Sequence, residues 1–238
     1  MKVIQPNCRV QFTADDIAFI LAVLARKGGA PSLTALLTDP ETRDLILDSD
    51  ALFHALLEQG GCLRVSSHFY FYVLVRHVLR QAGIPDRPVA DYVAEMLAEF
   101  SHAERSRLVA PGPAGPLDYF FDMLAALQTA DDRAAFCLRA HIGNQSLFLS
   151  GVFPDRIRHR AERRAFPDLR YYEELGRVNF RAASSHRLAR RYDLAAIFDT
   201  LSISFTKIRL ALNDLAERVF SLGDPDLPLA PFFKTGAP

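Results

Sequence analysis

The chain has 238 residues, half of them apolar and about a quarter charged, with 28 basic side chains balanced by 28 acidic ones. That composition belongs to a core-forming globular chain and argues against a disordered one. Zero net charge leaves no whole-molecule attraction to nucleic acid or to an anionic membrane.

In chain order, residues 1–12 read as irregular or as a short strand in which Val10 and Phe12 alternate with polar neighbours. Thr13 ahead of Asp15 and Asp16 predicts a helix start, with acids placed where the helix dipole favours them. Ile17, Ile20, Leu21 and Leu24 recur at helical spacing, and Arg26, Lys27, Gly28 and Gly29 predict the stop. A second helix is expected after Pro31, on Leu33, Leu36 and Leu37. Asp39-Pro40 opens a short one through Leu47, and Ser49 or Asp50 caps another that ends at Gly60-Gly61.

Cys62 to Val65 reads as a short strand able to pair with residues 8–12, giving one small hairpin in an otherwise helical chain. Ser66 or Ser67 caps a helix closed by Gly83, with Tyr70, Val73, Leu74, His77 and Val78 as its inner stripe. The next helix opens at Asp86-Arg87-Pro88. It carries one E-x-x-H, Glu99 and His102, but a di-metal bundle site needs a second such pair, which this sequence lacks. LVAPGPAGP at 108–116 is the one clear loop composition.

After it come helices at 117–127 and from Thr129–Asp132 through Val152. A polar break at 185–193 has room for a turn of helix. Residues 199–221 read as one long helix, with Leu201, Phe205, Ile208, Leu212, Leu215 and Val219 spaced by three and four. The tail from 223 is expected to be loose. The fold class is all-α: a multi-helix bundle with residues 1–238 in a single domain and a loop at 108–116.

The charge is unevenly placed. Residues 1–135 carry 12 basic against 17 acidic side chains, and residues 136–195 carry 12 against 6. This basic stretch also holds the least ordinary residues. Gly143 and Gly151 stand inside helical pattern, where a glycine costs about 1 kcal/mol against alanine unless something must approach closely. His141, Asn144, Gln145 and Ser146 interrupt an apolar helix, with Tyr172, Gly176 and Asn179 facing as partners on the helix 168–184. Pro154-Asp155 opens a helix on which Arg156, Arg160 and Arg163 share a face beside Arg164. Arg177 and Arg181 lie on one side of the following helix, with Glu173 spaced to pair with Arg177.

The runs HIGNQSLFLSGVFPDRI and RAFPDLRYYEELGRVNFRAA resemble an uncharacterised family of soluble bacterial helical proteins, marked by "GN-SLF-SG-FP" and "YYEELGR" signatures. The resemblance marks 137–185 as a unit and implies no activity, cofactor or catalytic residue.

No nucleophile elbow, P-loop, dinucleotide fingerprint or zincin motif occurs. Three cysteines, Cys8, Cys62 and Cys137, stand far apart and make neither a zinc ribbon nor a disulfide framework. The N-terminus lacks an apolar signal core, and Ile142 to Pro154, the longest charge-free apolar run, is shorter than the ~20 residues of a spanning helix. The expected compartment is therefore the cytoplasm.

The function expected is non-catalytic binding of a small anionic ligand or protein partner, with no cofactor or metal. The site residues are His141, Asn144, Gln145, Arg160, Arg164, Tyr172, Glu173 and Asn179. Membranes are not expected as partners, nucleic acid is disfavoured, and a homo-oligomer stays open. Two alternatives stand beside this reading: a helical hydrolase or transferase using His141 with Glu173 or Glu174, and a nucleic-acid-associated protein using the basic stretch.

Overall fold

The computed structural model describes residues 3–25, 39–58, 64–109, 116–164 and 167–221, without the side chains of 102–119, 163–164 and 220–221. The expected helix after Pro31, the stops at Gly28–Gly29 and Gly60–Gly61, Cys62, the centre of the 108–116 loop and the tail from 223 lie outside the described residues, as do the side chains of His102 and Arg164.

Among the described residues there are twelve α-helices and no strand. They are α1 (Ala14–Ala25), α2 (Pro40–Leu47), α3 (Asp50–Glu58), α4 (Ser67–Gln81), α5 (Arg87–Val109), α6 (Pro116–Leu127), α7 (Asp132–Val152), α8 (Pro154–Arg164), α9 (Leu169–Ser184), α10 (Arg187–Arg191), α11 (Ala195–Ile203) and α12 (Phe205–Ser221). The all-α class holds. No described helix is long and apolar enough to cross a membrane.

Two expectations are corrected. Cys8–Gln11, one side of the foreseen hairpin, is a 3-10 turn. Its backbone donors are spent elsewhere: the Arg9 N–H donates to the Asp91 carboxylate at 3.1 Å and the Val10 N–H to the Asn7 carbonyl at 3.2 Å. The helix read over 199–221 is two helices parted at Ser204, whose N–H donates to the Thr200 carbonyl at 2.8 Å. Leu201, Phe205, Ile208 and Leu212 are all buried across the break. The apolar stripe runs on through the kink, so periodicity could not report it.

The chain divides into two compact units, one of Pro6–Arg105 with Glu217–Pro238 and one of Ser106–Ala216 with Met1–Gln5. In the first, α4 is buried all round from Phe69 to Leu79, Arg76 and His77 included, not along the single stripe the spacing implied. Ser66 caps it, accepting from the Phe69 N–H, and Gly83 at φ +75 closes it. There the Ile84 N–H reaches Leu79 and the Gly83 N–H reaches Arg80, a helix-end motif that needs a left-handed residue. Thr13 and Asp16 cap α1 reciprocally, and Asp16 also accepts from the Ser66 N–H and hydroxyl, both at 2.7 Å. One fully buried carboxylate thus joins two helix starts.

Ion pairs, buried at Arg76 and Asp91 and half-buried at Arg9 and Arg87, link this unit's elements. Arg9 bridges Asp91 and Asp44, Arg87 bridges Asp44 and Asp48, and Arg76 forks onto Asp48 at 2.7 and 3.0 Å while donating to the Pro85 carbonyl. Cys8 lies beneath, donating to the His68 carbonyl at 3.1 Å.

In the second unit α7 lies along α9, and α9 along α11. The glycines explain the closeness. A Cβ on Gly143 would meet the Phe180 ring at 2.8 Å, one on Gly151 would meet Leu212 at 3.0 Å, and one on Gly176 would overlap the Phe205 ring. Phe180 stacks on Phe198 at 5.7 Å, with Phe136 and Phe205 beside it.

Candidate functional site

The sequence-derived site residues fall in the second unit, on α7, α8 and α9, and the structure sorts them into three places. Asn144, Gln145 and Asn179 are buried and His141 is half-buried. Asn179 turns back on its own helix, its amide donating to the Leu175 carbonyl at 2.8 Å. Its Oδ1 and the Ser146 hydroxyl are buried without a hydrogen-bond partner. This interior is polar but filled, with aromatic rings against the glycines.

Glu173 goes elsewhere. It does not take Arg177, the partner its spacing suggested; its carboxylate accepts from the Arg209 guanidinium and, at 3.3 Å, from the Thr206 hydroxyl. Arg177 instead lies 3.7 Å from Glu174 at the surface. Arg209 passes its other nitrogen to Asn213 at 2.6 Å, and the Asn213 amide donates to the carbonyls of Ser150 and Gly151 at 2.9 and 2.6 Å. Those carbonyls belong to the last turn of α7, where no helical N–H remains to satisfy them. The node Glu173–Arg209–Asn213 is therefore a helix-end clamp. Arg209 and Asn213 were absent from the sequence reading; they lie four residues apart, each next to a residue of an unbroken apolar stripe, so the stripe's spacing gave no signal of them.

The third place is a notch where Arg160 and Tyr172 meet Arg156. Asp168 caps α9 by accepting from the Tyr171 N–H at 2.9 Å, which makes Tyr172 the fourth residue of the helix. Pro154 starts α8 after the α7 end at Phe153, and Ile157 is the buried side of that helix, as its pattern implied. Arg156 and Arg160, one turn apart, lie against Tyr172 around a cavity of about 20 Å³ that Leu149, Phe153 and Pro167 complete. That space holds about one water-sized atom. Arg156 has no ion pair or hydrogen bond among the described residues.

Burial raises the Tyr172 phenol above its ordinary value, against the pull of the Arg160 and Arg156 guanidiniums. The hydroxyl therefore stays protonated at neutral pH and can donate. Two guanidiniums and a phenol thus line one hollow of single-atom size.

The buried thiol of Cys8 offers no nucleophile. Burial, then the neighbouring Asp91 and Glu95, push it far above the usual thiol range. No group of three or more His, Cys, Asp or Glu side chains able to hold a metal ion occurs among the described residues.

Comparison of the chain with protein-family models, with curated proteins and with solved structures gives no match in any of the three.

Proposed function

We propose that this protein is a non-catalytic binding protein whose second unit holds a small ligand through one phosphate-like or carboxylate oxygen in the notch of Arg156, Arg160 and Tyr172. The observation that carries the reading is Arg156: an arginine with no carboxylate partner among the described residues, beside a second arginine and a protonated phenol. Arginine at such a place is normally matched by an acid, and here the matching anion is the ligand. Glu173, spent on Arg209 and Thr206, is not poised as a base, which weighs against the hydrolase alternative. A reducing cytoplasm suits the free thiols of Cys8 and Cys137.

Calorimetric titration of the full chain with inorganic phosphate at low salt tests the proposal. Saturable uptake is expected, weakened roughly tenfold or more by Arg156→Ala and several-fold by Tyr172→Phe, the loss of charge-assisted hydrogen bonds of about 1.5–3 kcal/mol. Absence of saturable heat, or uptake that both variants leave unchanged, overturns it.

A further inference from the structure

We propose that the groove between α9 and α11 is a docking surface for an acidic amphipathic helical segment of a partner protein. The groove has a volume of about 490 Å³ and lies open along the surface. Arg177, Val178, Arg181 and Ala182 form one wall; Ser202 and Ile203 form the other. Val178 is 51 % exposed and Ile203 69 %, large apolar side chains that ordinary folding would turn inward. Neither faces solvent for want of a core, since Phe180 and Phe198 already fill the space between the same two helices.

The walls are fixed to each other. The Ser202 hydroxyl donates to the Arg177 carbonyl at 3.1 Å, and Arg181 pairs with Asp199 at 2.6 Å. A groove held open before its occupant arrives spares the occupant the cost of ordering it.

Charge selects the occupant. Its lining carries two guanidiniums and no carboxylate. Val178 and Ala182 sit four residues apart along one side of Arg177 and Arg181, also four apart, giving an apolar strip with a cationic margin that repeats once per helical turn. A helix with apolar side chains at i, i+3, i+4 and i+7 and acids flanking them matches that strip. Asp199 and Glu174 do not saturate the arginines. Both pairs are exposed, each uses part of a five-donor fork, and such pairs contribute only about 0–1 kcal/mol. A second copy of this chain fits less well: a two-fold contact through this groove would set Arg177 and Arg181 against their own equivalents.

The full chain is titrated, by fluorescence anisotropy, with a labelled helical peptide carrying leucine at i, i+3, i+4 and i+7 and glutamate at flanking positions. A second peptide has lysine in place of each glutamate. The expected result is saturable binding of the glutamate peptide, at least about tenfold tighter than the lysine peptide. Arg181→Glu and Ile203→Asp should each weaken it about tenfold or more. Both positions are exposed, so both variants should melt with the parent; if Ile203→Asp does not, Arg181→Glu alone decides. Equal affinity for the two peptides, no saturable binding, or indifference to Arg181→Glu overturns the proposal. So does a concentration-dependent dimer that Arg181→Glu or Ile203→Asp dissolves, because the occupant is then a second copy. Phosphate uptake at the Arg156 notch reports on a separate site, and either reading can fail without the other.

Discussion

The two units treat arginine in opposite ways. In the first, buried Arg76 and half-buried Arg9 and Arg87 are each met by aspartates, so that Asp44, Asp48 and Asp91 tie together the 3-10 turn, α2, α4 and α5. In the second, Arg209 is likewise drawn into the interior onto Glu173, while Arg156, Arg177 and Arg181 lie at the rim of concave surface. The partition follows from supply. The acid-rich first half can match its arginines internally, whereas residues 136–195 hold twice as many basic as acidic side chains. Arginine consumed inside a fold specifies position and adds little net stability. Arginine that is paired only at the surface, as Arg177 and Arg181 are, or that has no partner among the described residues, as Arg156, is the kind an outside anion can recruit.

Asp48→Asn should break this contrast most severely. Arg76 is 3 % exposed, and the substitution leaves its guanidinium buried against a neutral amide. Removing one member of a buried pair costs about 3–5 kcal/mol. Burial acts to raise the Asp48 carboxyl, but Arg76, with Arg87 and Arg80, outweighs it and holds the group below the ordinary carboxylate value. A depressed folded-state value means that the stabilisation is complete above the unfolded value of about 3.9 and disappears as pH falls through the folded one. Urea unfolding at neutral pH should therefore show the full difference between parent and variant, and the difference should shrink below about pH 4. A variant that loses less than about 1 kcal/mol at neutral pH would make the first unit's ion pairs equivalent to surface ones.

In the second unit the largest packing effect belongs to Gly176→Ala. Alanine suits a helix better than glycine by about 1 kcal/mol. At Gly176 the new methyl would overlap the Phe205 ring and lie 3.1 Å from the Ser146 Cβ, and neither can swing away. Overpacking of this kind costs about 1–3 kcal/mol and should exceed the propensity gain. Gly151→Ala is the control. Its neighbour is the Leu212 side chain at 3.0 Å, so the two contributions should come close to cancelling in a thermal melt. If both substitutions destabilise equally, α7 and α9 are held by something other than ring-to-glycine contact.

The sequence showed helices well because capping and periodicity are local: Asp39, Ser66, Asp131 and Asp168 each cap the helix expected to begin there. It showed that Gly143, Gly151 and Gly176 needed a close neighbour, but not that the neighbours were Phe180, Leu212 and Phe205, since contact between distant helices leaves no local trace. The kink at Ser204 was hidden by a stripe that continues across it. Asp193, at φ 56, ends α10 where glycine is usual, so the ordinary signal was missing. Of the notch, Arg156 and Arg160 were legible as one helix face, but Tyr172 was expected opposite His141 and Asn144 and instead lines the notch with the arginines. Glu173 was misassigned because the i, i+4 rule considers only its own helix, and Arg209 reaches it from another.

Asn213→Ala tests whether the polar interior of the second unit is structural. Asn213 is 6 % exposed and is a donor to both last-turn carbonyls of α7 as well as the acceptor for Arg209. Alanine leaves those groups short of partners in the interior, at about 1–2 kcal/mol if water enters the space that the amide vacates. The Arg156 notch lies at the same end of α7, just past Leu149 and Phe153. If the clamp serves only folding, Asn213→Ala lowers the urea midpoint and leaves phosphate affinity unchanged. If the last turn of α7 loosens when its carbonyls are released, Arg156 shifts with α8 and phosphate affinity falls with stability. Measuring both quantities on one variant decides whether this polar network merely holds the fold or also sets the geometry of the Arg156 notch.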